Sequence, residues 1–179
     1  RDCNTIVFDS TENKLYACGT FTKSGNKEVK YIGVYDINTR IWSPLEGGSV
    51  NAPCRILVKS PQKSELYLGG LFTSANDDNI NLSYVAKYNI QTKQWHNLSG
   101  GIQGYCNTMV IDENNNKLYV GGTFISAGQN DGSIDAHHIA YYDLTVDRWC
   151  ALDGGVNNVV QSIYFDDKSC SLFVGGAFT

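Results

Sequence analysis

The residues of this chain that could do chemistry fall into three groups with different spacings. Acidic and imidazole side chains gather in two stretches: Asp77 and Asp78 in one, and Asp131, Asp135, His137 and His138 in the other. Carboxylates and imidazoles are metal ligands, but this spacing fits neither a calcium-binding EF-hand loop nor a zinc pattern. The expectation is therefore no metal site and no cofactor, with these six residues marking candidate binding loops for a ligand or partner. The remaining histidine, His96, follows Trp95 and reads as a solvated surface residue. The second group is six cysteines, Cys3, Cys18, Cys54, Cys106, Cys150 and Cys170, none in a Cys-x-x-Cys pair. An even number without metal or redox spacing fits an oxidising compartment and disulfides. The third group is two acceptor sequons for N-glycosylation, Asn81-Leu82-Ser83 and Asn97-Leu98-Ser99, which point the same way.

Catalytic patterns are missing. The sequence holds no serine elbow, phosphate loop or paired-carboxylate motif, so the chain is not expected to be an enzyme. A net charge of −4 over 179 residues argues against nucleic acid, which calls for a basic face. No apolar run approaches the length of a membrane span. The chain begins with Arg1 and carries no signal peptide, as expected for a mature or internal piece.

The elements that must position these residues come from a repeat. Leu15-Tyr16-Ala17-Cys18-Gly19-Thr20-Phe21 returns as Leu66-Tyr67-Leu68-Gly69-Gly70-Leu71-Phe72, Leu118-Tyr119-Val120-Gly121-Gly122-Thr123-Phe124 and Leu172-Phe173-Val174-Gly175-Gly176-Ala177-Phe178. A second segment ends in Tyr35-Asp36, Tyr88-Asn89 and Tyr142-Asp143, and seven residues after each tyrosine stands Trp42, Trp95 or Trp149. The tryptophans are 53 and 54 residues apart, and each leads to a Gly-Gly pair. A period near 50 indicates propeller blades. Each unit reads as four short strands, A to D. Strand A covers Cys3 to Phe8, Cys54 to Lys59, Cys106 to Ile111 and Val160 to Phe165; strand B is the Leu-Tyr segment, C carries the aromatic-Asp, and D opens near the tryptophan. β-branched and aromatic residues without a helical period, broken by Asn and Asp turns, support this. The recurring Asp36, Asn89 and Asp143 read as turn residues. The expected fold is all-β, a β-propeller of four-stranded antiparallel blades: blade 1 over 1–48, blade 2 over 49–101, blade 3 over 102–155, and the first half of blade 4 over 156–179. Three and a half blades imply a piece of a longer chain, since propellers close with four to eight. The glycine pair of strand B is expected to let a neighbouring sheet or tryptophan approach the backbone.

With strand B ending in Gly-Gly, an aromatic-Asp ending strand C and Trp opening strand D, the chain resembles the kelch and galactose-oxidase central-domain propellers. It is more similar still to a Gly-Gly-x-Phe-Thr variant found in large cell-surface proteins such as fungal cortical polarity markers and in repeat proteins of amoebae and bacteria. That variant is seen at Gly70-Leu71-Phe72-Thr73 and Gly176-Ala177-Phe178-Thr179; Cys18 and Ile125 depart from it. The resemblance implies a structural or adhesive extracellular or cell-surface glycoprotein module, stacked with other repeats or subunits of the same protein. A glycan- or protein-binding propeller is the alternative, and a fragment of a copper oxidase a third, although the copper ligands of galactose oxidase have no matching positions here.

Variation between units is confined to the B-to-C connection. Phe21 to Tyr35, Phe72 to Tyr88 and Phe124 to Tyr142 span 14, 16 and 18 residues. The loops Lys23 to Lys30, Ser74 to Ser83 and Ser126 to His137 are either a ligand surface or tolerated insertions. Six cysteines allow fifteen pairings. Repeat position favours Cys3–Cys18, Cys54–Cys106 and Cys150–Cys170. Asn97 is expected on strand D, where a glycan would block edge pairing.

Overall fold

The recurring Val, Ile, Tyr and Phe runs form strands, and the polar turns between them fold each repeat back on itself. The computed structural model describes residues 2–129 and 132–179. The first sheet holds β1 (Cys3–Asp9), β2 (Lys14–Gly19), β5 (Ile32–Asp36) and β6 (Ile41–Pro44), with a ribbon of β3 (Lys23–Ser24) and β4 (Lys27–Glu28) between β2 and β5. The second holds β7 (Cys54–Lys59), β8 (Glu65–Gly70), β11 (Val85–Asn89) and β12 (Gln94–His96), with the ribbon β9 (Ser74–Ala75) and β10 (Ile80–Asn81). The third holds β13 (Cys106–Asp112), β14 (Lys117–Gly122), β17 (Ile139–Asp143) and β18 (Arg148–Ala151), with the ribbon β15 (Ser126–Ala127) and β16 (Ile134–Asp135). A hairpin of β19 (Val160–Asp166) and β20 (Ser171–Gly176) follows. The protein is all-β, built from four-stranded antiparallel sheets. The described residues do not form a closed propeller.

The sheets stack face to face, with β1 against β7, β7 against β13 and β13 against β19. The core is correspondingly divided into layers between sheets. Cys18, Ile32, Leu57, Leu68, Tyr88 and Trp95 share the first layer, and Tyr67, Cys106, Val120, Tyr142 and Trp149 share the second. A sheet with two apolar faces cannot cover both alone, so burial here depends on neighbours.

The aromatics of strands C and D lock each sheet to the one before. Tyr88 and Trp95 pack with ring centres 4.9 Å apart. Tyr88 donates to Glu46 O at 2.8 Å, and Trp95 Nε1 to Gly48 O at 3.2 Å. One repeat on, Tyr142 and Trp149 stand 5.1 Å apart; the Tyr142 hydroxyl bonds Ser99 Oγ at 2.8 Å and Trp149 Nε1 donates to Leu98 O at 2.7 Å. The tryptophans thus reach the previous repeat's D-to-A connection, not the paired glycines of strand B. Those glycines do two separate jobs. A Cβ on the first, Gly69 or Gly121, would strike the next sheet: Cys106 Cβ at 2.8 Å from Gly69, Ile163 Cδ1 at 2.9 Å from Gly121. A Cβ on the second would overlap a backbone carbonyl at the start of strand A, Pro53 O at Gly70 and Tyr105 O at Gly122. Strand A comes that close because it carries a bulge at the same place in every repeat, between Cys3 and Thr5, Cys54 and Ile56, Cys106 and Thr108, and Val160 and Ser162.

The turn residues act as their chemistry requires. Asp36 Oδ1 accepts from Thr39 N at 2.8 Å, Asn89 Oδ1 from Gln91 N and Thr92 N at 2.9 Å, and Asp143 Oδ1 from Thr145 N at 2.9 Å. Asp166 caps the last A-to-B turn similarly, from Lys168 N at 3.2 Å. Backbone N–H donors hold the Asp36 and Asp143 carboxyls below the usual range, and for Asp166 the Ser169 hydroxyl leads, with the Lys168 amide behind it. A lowered folded value stabilises fully above the unfolded carboxylate value of ~3.9 and is lost as pH falls through the folded values. Denaturant midpoints are therefore expected to fall as pH drops below about 4. Asp143→Asn, which copies the natural Asn89, is expected to keep the turn and flatten part of that fall.

Candidate functional site

The variable B-to-C loops are more ordered than irregular insertions. Each folds as a short ribbon, and in the second and third the inner residue is bridged to the preceding D-to-A connection, Ala75 to Val50 and Ala127 to Ile102, with both alanines fully buried. Extra length is absorbed at the ribbon tip while its base stays anchored. Sequence periodicity missed the ribbons because two-residue strands are too short to show alternation.

Between the first two loops lies an open groove of about 250 Å³, lined by Lys30, Tyr31, Ser49, Asn51, Asp77 and Asp78. Asn51 organises its floor. Its Oδ1 accepts from Thr73 N at 3.0 Å and Ser74 N at 3.2 Å, and its Nδ2 donates to Thr73 Oγ1 and Asp78 Oδ1, each at 3.2 Å. Ser74 Oγ also donates to Asp78. Asp78 is thus held by the ribbon, while Asp77 stands exposed at its tip with φ 51°. Opposite, Lys30 pairs with Glu28 at 2.9 Å, which pushes its ammonium upward. The groove presents a cation, carboxylates and a phenol, a set suited to polar ligands such as hydroxyl-rich or peptide groups. Lys30, Tyr31 and Asn51 were not singled out in the sequence. For Tyr31 a signal existed: it aligns with Tyr84 and His138 just before strand C, and all three hold positive φ, 61°, 71° and 72°.

The third loop does not assemble its acidic and imidazole residues. Asp131 lies outside the described residues. Asp135 is exposed on β16, paired with Ser126. His137 is exposed, and its backbone packs against Gly155. His138 has a structural place: its N–H donates to Phe124 O at 2.8 Å and its carbonyl accepts from Gly122 N at 3.0 Å, while its Nδ1 is buried without a hydrogen-bond partner. Among the described residues no three His, Cys, Asp or Glu side chains come together as a metal site.

A second polar feature runs along the A strands. The bulged residues reach across to the next strand A: Asn4 Nδ2 donates to Cys54 O at 2.9 Å, the Arg55 guanidinium to Asn107 Oδ1, and Asn107 Nδ2 to Val160 O at 2.9 Å. A polar residue after the first residue of each strand A was the available sequence signal.

No disulfide is present in this structure, and the faces the thiols use separate the first two expected pairs, Cys3–Cys18 and Cys54–Cys106. Cys3 and Cys18 lie on opposite faces of the first sheet. Cys3 sits opposite Gly19 and lines an outward pocket with Ile6, Ala17 and Trp42, whereas Cys18 is buried in the layer against the second sheet. Cys54 and Cys106 are divided by the second sheet itself, one in the first layer and one in the next. Cys150 sits across from Tyr141 in the β17–β18 pair, and Cys170 lies near Tyr119, whose ring is 5.9 Å from that of Tyr141. Both sequon asparagines are exposed. Asn81 is on β10 and accepts from Ser83 Oγ at 3.4 Å. Asn97 stands just past β12 instead of on it. Among the described residues no helix is long and apolar enough to cross a membrane.

No protein-family model matches the chain, and no curated protein matches it. Among solved structures, the chain is similar to the extracellular domain of BT4673, assigned as a one-component system, from B. thetaiotaomicron, with a TM-score of 0.49 and 14% identity. The match covers 97% of this chain and 26% of that one.

Proposed function

We propose that the chain is a set of kelch-like propeller blades from an extracellular or cell-surface glycoprotein, and that its work is structural: rigid sheets display the B-to-C ribbons while sheet faces stack on further sheets of the same kind. One observation carries this reading. Among the described residues, the two outer faces of the stack repeat the chemistry of the inner interfaces and are exposed. On the first sheet Ile6 and Phe8 are more than half exposed, and on the last hairpin so are Tyr164 and Phe173. Above Gly175 a Cβ would meet nothing within 4 Å, where the equivalent Gly69 and Gly121 are covered by the next strand A. Such faces mark sites of association. The partner that fits is another repeat of this type, because Cys54, Leu57 and Leu68 already cover the first sheet in that manner.

Sedimentation equilibrium tests this. Concentration-dependent association is expected in the micromolar range or above, and it is expected to be lost in Phe173→Lys, on an exposed site that leaves the fold intact. A monomer at all concentrations would count against stacking. Hexosamine at Asn81 or Asn97 in protein from its native source would support the exported reading, and its absence at both would weigh against it.

The groove of Lys30, Tyr31, Asn51 and Asp77 favours a second reading, a glycan- or protein-binding module. Binding on a glycan array that falls at least tenfold in Tyr31→Ala would establish it.

A further inference from the structure

Cys18 is the one place where a cysteine replaces the first glycine of the strand B pair. At that position in the next repeat, Gly69 faces the third sheet, and what it faces is Cys106: a Cβ there would stand 2.8 Å from Cys106 Cβ and overlap Cys106 Sγ. Cys54 holds in the second sheet the position that Cys106 holds in the third, each opening strand A opposite the second glycine of its pair. The repeat therefore aims Cys18 at Cys54 across the first inter-sheet layer. We propose that Cys18 and Cys54 form a disulfide that staples the first sheet to the second.

The spacing suits the bond. Disulfide-linked Cβ atoms are roughly 3.5–4.5 Å apart. The glycine version of this contact is closer than that, so a real Cβ at Cys18 opens it toward the bonding range. Both residues are 0% exposed and lie in one buried cluster, with Cys18 close enough to perturb the Cys54 thiol. No other cysteine competes for Cys18 on that face, because Cys3 points outward and Cys106 is on the far side of the second sheet. Burial, with Cys18 beside it, pushes the Cys54 thiol well up, so Cys54 is a poor nucleophile once folded. The bond accordingly forms as the sheets close, by exchange with a small disulfide. Two S–H bonds break and one S–S bond forms; the oxidant takes both electrons and both protons and leaves as two thiols.

Peptide mapping of the whole chain refolded with oxidised glutathione tests this. Trypsin places Cys3 in 2–14, Cys18 in 15–23, Cys54 in 41–55 and Cys106 in 94–117. Without reduction, 15–23 joined to 41–55 is expected, with 2–14 and 94–117 alkylated. Recovery of 15–23 joined to 2–14, or of 15–23 and 41–55 both alkylated, would overturn the proposal. The companion variant is Cys18→Gly, which restores the residue found at this site in the other repeats. The wild-type Tm is expected to drop by roughly 5–15 °C on reduction, and the variant's to be insensitive. Equal sensitivity in both would also overturn it.

Discussion

Gly122→Ala is expected to destabilise the protein by about 3 kcal/mol, the upper end of overpacking costs, while Gly175→Ala leaves stability within ~0.5 kcal/mol or slightly raises it. One methyl group is added in each case, and the difference is where it lands. At Gly122 it overlaps the Tyr105 carbonyl and stands 3.2 Å from Cys106 Cα. These are backbone atoms of the strand A bulge and cannot rotate away. Relief requires moving β13 off β14, which disturbs the bridge from Thr123 N to Tyr105 O at 3.0 Å and the packing of Cys106 beneath Gly69. At Gly121 the methyl strikes Val160 Cγ1 and Ile163 Cδ1, side-chain ends that can yield, so ~1–2 kcal/mol is expected there. At Gly175 there is open space. Urea denaturation of the three variants should rank them in that order. Equal losses at Gly122 and Gly175 would show that the pair matters for backbone conformation, not for close approach.

Trp149→Ala is expected to cost 3–5 kcal/mol, on the scale of a large aromatic deleted from a core, and Trp42→Ala about 1 kcal/mol or less. The two tryptophans occupy the same place in the repeat. Trp149 is 4% exposed, packs on Tyr142 and donates to Leu98 O. Trp42 keeps its ring partner Tyr35 at 5.2 Å but lines an open pocket on the outer face of the first sheet. Trp149→Phe separates the contributions: it retains most of the ring and leaves the Leu98 carbonyl without its donor, so an intermediate loss of ~1–3 kcal/mol is expected. If a further sheet covers the outer face when chains associate, Trp42→Ala is expected to weaken association more than folding.

Much of the architecture could be read from residues that act locally. Strand A to D order follows from alternating β-branched and aromatic residues and from Asp and Asn turns whose side chains bond their own backbone. Asp36, Asn89 and Asp143 were legible as turn residues because each acts within three residues of itself. The second and third B-to-C ribbons were not, because they are tied down by bridges to residues about 25 positions away, Val50 with Ala75 and Ile102 with Ala127. The acidic and imidazole loop residues illustrate the same limit. Asp77 and Asp78 do line a groove, but Lys30, Tyr31 and Asn51 complete it from two other segments, while Asp135, His137 and His138 form no common site.

The cysteines mark the boundary most clearly. The sequence by itself placed Cys3, Cys54 and Cys106 at equivalent starts of strand A and Cys18 in a glycine's position. It could not say which face each thiol uses, because neighbouring residues on a strand point to opposite faces and a bulge shifts that alternation by one. Only the stacking of sheets decided it. Cys3 and Cys18, close in the sheet, are turned apart by the strand's pleat, and Cys18 and Cys54, on different sheets, are brought together because the interface between repeats was shaped for a glycine.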